Sequence, residues 1–168
     1  MAYTLEQLSA DCSAALHENS GPAGPEKVRN FVAKACADQD FVATHFVPAD
    51  QEERKVLYED PDLKFCILAH TYNGPKASNP HDHGPSWAIY GQAVGETVMT
   101  DWDCVEKPSG DQPGKVRKVR DYSLTPGVAH VYNEGVLHSP RRECDTRLIR
   151  VEGQNLKGVK RDKYEVAA

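Results

Sequence analysis

The stretch NPHDHGPSWAIYGQAVGETVMTDW, residues 79–102, decides how the chain is read. His81 and His83 stand two apart, bracketed by Pro80 and by Gly84-Pro85. Residues two apart on an extended chain point the same way, so both imidazoles can converge on one ion while Asp82 points away. Pro80 keeps the residue before it extended, and Gly84-Pro85 ends regular pairing. Trp87–Gln92 and Glu96–Trp102 then read as short strands, with a turn region over Gly91–Gly95. Seven histidines in 168 positions give about 0.3 His-x-His pairs by chance, so the pair gains its weight from this setting.

Outward from this segment the same pattern continues. Short apolar runs fall at Lys55–Glu59, Phe65–Tyr72, Val116–Leu124, His130–Asn133 and Thr146–Val151. They are separated by turn signals at Asp60-Pro61, Asn73-Gly74, Pro108–Gly110, Pro113-Gly114, Pro126-Gly127 and Asn133–Gly135. Many short strands at such spacing predict an all-β sandwich or barrel. No helical segment separates them, which disfavours a parallel α/β sheet. Lys107–Lys118 is polar and is expected as a loop.

Before residue 50 the period is helical. Thr4 and Gln7 have capping-box spacing, and Leu5, Leu8, Cys12 and Leu16 recur at helical intervals until Gly21-Pro22. A second helix is expected from Pro25, with Val28, Phe31, Val32 and Ala35 on one face, and a short third near Asp40–Phe46. The expected organisation is one domain over 1–168. A helical segment, 1–50, packs on a β-barrel, 51–156, and a tail, 157–168, carries no assigned role.

Composition narrows the function classes. The net charge of −5 and the absence of a basic stripe argue against a nucleic-acid partner. No apolar run approaches membrane-spanning length and the N-terminus lacks an export signal, so no membrane partner and a cytoplasmic location are expected. Cys12, Cys36, Cys66, Cys104 and Cys144 are dispersed and odd in number, which predicts reduced thiols and no cysteine-built zinc site.

A third metal ligand must come from a later strand. The candidates are His138, in Gly135-Val136-Leu137-His138, and His130, which follows Pro126-Gly127. On these residues the chain resembles the cupin superfamily. Pro80–Thr97 is similar to the first cupin motif and Pro126–His138 to the second, and the likeness spans roughly Arg54 to Glu152. The resemblance implies a mainly β double-stranded β-helix, or jelly-roll barrel, here with two or three N-terminal α-helices. Within that superfamily the His-Asp-His pattern with a distant Gly-x-x-His resembles the cysteine dioxygenase-like thiol dioxygenases.

That resemblance implies Fe(II) on His81, His83 and His138, with a small-molecule thiol and O2 as substrates and a homodimer as the family habit. Imidazole ligands alone also suit Zn, Cu and Ni. The alternatives within the superfamily are a cupin that binds a metal or small ligand without turnover, and an isomerase or lyase using Zn, Mn or Ni. The usual cupin glutamate ligand is missing, since Trp87 and Ala88 stand where it would be and Glu96 lies too far along. The resemblance places a substrate-binding arginine near Arg54. It also puts Arg150 and Glu152 where the thiol dioxygenases carry a His and a Tyr, although strand alternation alone allows Arg150 to face outward. Ala88 occupies the place of the cysteine that crosslinks to that Tyr in the animal-type enzymes. Tyr72, Trp87, Tyr90 and Tyr132 are candidate pocket aromatics, Arg141-Arg142 is expected as a solvated rim, and His17, His45 and His70 as ordinary histidines.

Overall fold

The computed structural model describes residues 1–168. Helix α1 (Leu5–Glu18) starts on a complete capping box: Thr4 Oγ1 accepts from the Gln7 N–H and Gln7 Oε1 from the Thr4 N–H. Helix α2 (Ala23–Ala37) starts two residues before Pro25, and Asp38 caps the short α3 (Gln39–His45) with two side-chain bonds. Their inner faces bury Leu8, Cys12 and Ala15 on α1 and Val28, Val32 and Ala35 on α2.

Ten strands follow: β1 (Arg54–Glu59), β2 (Cys66–Tyr72), β3 (Lys76–Ala77), β4 (Ala88–Val94), β5 (Thr97–Glu106), β6 (Gly114–Leu124), β7 (Ala129–Tyr132), β8 (Leu137–Arg142), β9 (Thr146–Glu152) and β10 (Tyr164–Val166). The antiparallel pairs are nested, with β5 on β6, β4 on β7, β3 on β8 and β2 on β9. A long ribbon has in effect been folded at the β5–β6 hairpin and wound on itself. Pairing of β4 with β9 and of β5 with β8 closes two five-stranded sheets, ordered β1-β2-β9-β4-β7 and β10-β6-β5-β8-β3. This is the jelly-roll arrangement, mainly β with three N-terminal helices.

The two sheets differ in what covers them. On the first, Ile67, Ala69, Ile89, Val131, Ile149 and Val151 face the helices and merge with them into one apolar core. Strands β2 and β4 are therefore buried on both faces and read as continuous apolar runs rather than alternating ones. Between the sheets lies a smaller cluster that includes Tyr72, Ala88, Tyr90, Met99, Tyr132 and Leu148. The second sheet has no helix on its outer face, and β6 shows Arg117, Lys118 and Arg120 to solvent. Cys12, Cys36 and Cys66 are buried free thiols, while Cys104 and Cys144 are exposed.

Several sequence expectations need correction. Gly91 is not in a turn but within β4, where a Cβ would meet Val32 Cγ1 at 2.4 Å and Cys36 Sγ at 2.8 Å. Glycine there lets α2 sit directly on the sheet; only Gly95, at φ +75°, turns the chain. Gly114–Lys118 belongs to β6 and not to a loop. Strand β8 went unrecognised because Pro140 and Arg141-Arg142 break its apolar pattern. The tail has a place as well: β10 runs parallel to β6.

Gly91→Val should destabilise the protein by about 1–3 kcal/mol, because added methyl groups must displace a helix packed on backbone. Chemical denaturation reads this directly, and an unchanged midpoint would mean that α2 is not seated on β4 as described.

Candidate metal centre

His81 does not sit in a regular strand. It forms an isolated bridge to His138 on β8, each backbone N–H donating to the other's carbonyl at 3.0 Å. Such a reciprocal pair sets two Cα atoms about 5.5 Å apart, and the two rings end up with centroids 4.7 Å apart. His83 follows, and Gly84 at φ +59° turns the chain away, its N–H bonded to Asp82 Oδ1. The ligand-type nitrogens of His81, His83 and His138 all lie within 4.8 Å of one another. The pairing of His81 and His83 thus comes from a bridge and a turn, not from strand alternation.

The ring orientations suit an ion. His81 Nδ1 lies 2.8 Å from the Asn79 carbonyl and His138 Nδ1 lies 3.1 Å from the Val136 carbonyl. Donating Nδ1–H to a carbonyl leaves Nε2 as the bare donor atom, the usual state of a metal-bound imidazole. His83 Nε2 and His138 Nε2 are 3.1 Å apart. Two nitrogens bound to one ion at about 2.0–2.1 Å stand about 2.9–3.4 Å apart for right-angle to tetrahedral geometry, so the spacing fits. His83 Nδ1 is buried without a partner, so nothing in the structure fixes that ring's tautomer.

Burial is the main reason that these imidazoles stay neutral. It lowers the His81 pKa to about 4 and holds His83 and His138 well below the ordinary histidine range, with Arg150 adding repulsion at His83. Neutral rings are the form that binds metal.

An aromatic ring of residues surrounds the triad. The Tyr90 hydroxyl lies 3.1 Å from His83 Nε2 and 3.4 Å from His138 Nε2, and burial keeps it protonated by raising its pKa. Tyr132 stacks on His138 with centroids 4.0 Å apart, and its hydroxyl meets that of Tyr122 at 2.7 Å. His130 packs at a tilt against Tyr132, with centroids 4.6 Å apart, and lies outside the three-histidine group. Trp87 packs with the helical core instead. His70 is less ordinary than expected: it is buried, with Nδ1 3.0 Å from the Tyr72 hydroxyl.

An open cavity of about 710 Å³ reaches His81 and His83 and is also lined by Tyr72, Tyr90, Arg142 and Arg150. His138 is fully buried beneath it. Arg54 does not line this cavity; it sits on edge strand β1 and donates to Asn155 Oδ1 at 2.8 Å. The resemblance puts a substrate-binding arginine near this position, but a place in the sequence cannot show which way a side chain turns. On β9, Ile149 and Val151 pack toward the helices, so Leu148, Arg150 and Glu152 face the barrel interior. Arg150 Nη1 and Glu152 Oε1 are 3.8 Å apart, both largely buried. Arg142 is not a solvated rim residue but only 2% exposed, whereas Arg141 is exposed and paired with Glu143. Alternation along β8 from His138 carried this signal, since residues 138, 140 and 142 share a face. The tail contributes Arg161–Glu165 to the cavity wall, and Arg161 donates to the Asp82 carbonyl.

No protein-family model matches the chain, and no curated protein matches it. Among solved structures, KdgF from Halomonas sp. is 18% identical, with a TM-score of 0.44 over 59% of this chain and 74% of that one. A cupin-2 domain containing protein from Shewanella frigidimarina is 14% identical, with a TM-score of 0.43 over 61% and 80%. The cupin domain of Schizosaccharomyces pombe Cnp3 is 8% identical, with a TM-score of 0.45 over 61% and 64%. At these values the likeness says nothing about chemistry, which rests on the residues above.

Metal analysis after desalting should find bound metal in the wild type and in His130→Ala but not in His81→Ala or His138→Ala. The opposite pattern for residues 130 and 138 would reject this triad. Metal retention should stay flat from pH 8 to about 6 and fall only as pH approaches 4, where protons reach His81. The sign for folding agrees: unfolded histidine takes its proton near pH 6.5, so the metal-free protein loses stability as pH falls from there toward 4.

Proposed function

We propose that the chain is a metal-dependent cupin enzyme, an oxygenase that binds Fe(II) through His81, His83 and His138 and acts with O2 on a small thiol or related organic acid. The observation that carries this reading is the convergence of three imidazole nitrogens within 4.8 Å at the base of a cavity, with no carboxylate in the group. Three neutral ligands leave an ion its full charge and open positions, and ferrous iron when bound supplies the redox chemistry with O2.

The remaining work falls to this chain's side chains. The hydrogen bonds from His81 and His138 to carbonyls hold the rings in place. Tyr90 stands within hydrogen-bond reach of two ligand tips, so its hydroxyl is placed to donate a proton, or a hydrogen bond, to a molecule at the centre. Arg150 lies over the Tyr90 ring at 4.1 Å and pairs with Glu152, replacing the His and Tyr that the thiol dioxygenases carry. Ala88, in the inner cluster, has no sulfur to offer, so no cysteine–tyrosine crosslink forms here. These departures favour a second reading, a Lewis-acid isomerase or lyase using Zn, Mn or Ni.

Oxygen uptake by anaerobically iron-loaded protein separates the two. With cysteine, 3-mercaptopropionate or cysteamine, the account expects one O2 consumed per thiol and a sulfinic acid formed, both oxygen atoms ending on sulfur. No uptake with any of the three, at full iron loading, rejects thiol oxidation. Tyr90→Phe should lower turnover by about 100-fold with metal content unchanged, as expected for loss of a positioned proton donor.

A further inference from the structure

Two arginines line the same cavity as His81 and His83, and each keeps at least one buried N–H group without a hydrogen-bond partner. Arg142 is 2% exposed, its Nε and Nη2 have no hydrogen-bond partner, and its guanidinium lies 4.4 Å from the Tyr72 ring centre. The Arg150 side chain is 12% exposed and its Nε is also unpartnered. Its contact to Glu152, at 3.8 Å, is too long for a hydrogen bond. Each guanidinium packs on an aromatic face, which attracts the cation but leaves the in-plane N–H groups free.

Packing alone does not call for this arrangement. An arginine stays charged inside a protein, and a buried charge without acceptors is costly. A leucine at position 142 would fill the same side of β8 without that cost. What the two forks lack is an acceptor with paired oxygens, the geometry that guanidinium matches best. The two groups are also mutually repulsive: after burial, the charge of Arg150 is among the influences lowering the Arg142 pKa. An anion between them would relieve both demands at once.

We propose that Arg142 and Arg150 form an oxyanion subsite, and that the substrate is a small molecule anionic at both ends. One end is an oxyanion gripped by the two arginines; the other is an ionisable donor directed at the three histidines, a half that rests on the metal reading above. Charge and length agree. Against the two arginines stands one buried carboxylate, Glu152, which leaves a net positive charge before any metal is added. His138 and Arg142 are four residues apart on one strand face, so their Cα atoms are separated by about 13 Å along β8. Side chains reaching inward from both ends leave room for a molecule a few carbons long. The cavity rim adds Arg161 and Lys163 against Asp162, while Glu165 is engaged by Lys115, so the rim too is net positive.

The test is calorimetric titration of propionate, methanesulfonate and inorganic phosphate into the as-purified full-length protein. At least one should bind at one site per chain, and which one distinguishes a planar carboxylate from a tetrahedral oxyanion. Arg142→Gln should weaken that binding by about 10–100-fold, the loss typical of a hydrogen bond to a charged group. Arg142→Lys, which keeps the charge and loses the fork, should weaken it less, and it stands in if the Gln variant does not fold. Unchanged binding in a folded variant, or no binding of any of the three at millimolar concentration, overturns the subsite. In zinc-loaded protein, 3-mercaptopropionate should bind at least about 10-fold tighter than both propionate and 1-propanethiol. Equal affinity for propionate and 3-mercaptopropionate would leave the subsite standing and reject the metal-directed half.

Discussion

The site depends on one pair of backbone hydrogen bonds, those exchanged between His81 and His138. They tie the loop after β3 to β8, 57 positions further along the chain, and they do so at the two residues whose rings must meet. Without that bridge the segment would be held to the barrel only by its flanks, such as the Ser78 N–H to the Pro140 carbonyl and Arg161 to the Asp82 carbonyl, and the His81 ring would lose its fixed place beside His138. With it, the winding of the jelly roll becomes a statement about chemistry. The nested pairing that sets β3 on β8 is the same pairing that brings the third imidazole to the first two.

The interior of the barrel divides its labour along its length. Toward the helices the first sheet is apolar on its outer face, and α1 and α2 cover it, so stability resides largely there. The space between the two sheets is free to carry polar groups that a simple core would exclude: His70, Tyr72, Tyr90, Arg150 and Glu152 from the first sheet and Arg142 from the second. Several of them hold buried atoms without partners. Native proteins keep few such atoms, and a group of them around one cavity is the mark of a surface arranged for a ligand.

The legible and the hidden parts of this molecule follow from how local each signal is. The capping box at Thr4 and the apolar stripes of α1 and α2 are set by neighbours within a turn or two, and the structure bears them out. Strands β2, β4 and β5 announced themselves through β-branched and aromatic runs between turn residues. Strand β8 did not, since Pro140 and Arg142, which interrupt its apolar pattern, line the cavity. Arg54 and Arg142 show the same limit from opposite sides. The residue expected to reach a ligand points to Asn155, and the residue expected in solvent is buried. Gly91 shows another limit: it looked like turn punctuation, but its cause is the helix lying on it. His81 and His83 were legible because their spacing and flanking Pro and Gly are local; the preference for His138 over His130 rests on the resemblance, and the geometry groups His138 with the other two.

X-ray absorption spectroscopy of the metal-loaded protein tests the central claim most directly, because it counts the ligands around the ion. The account predicts imidazole scattering from three rings with nitrogen at about 2.0–2.2 Å, completed by light oxygen atoms. A first shell containing sulfur, or scattering from no more than one imidazole, would contradict it.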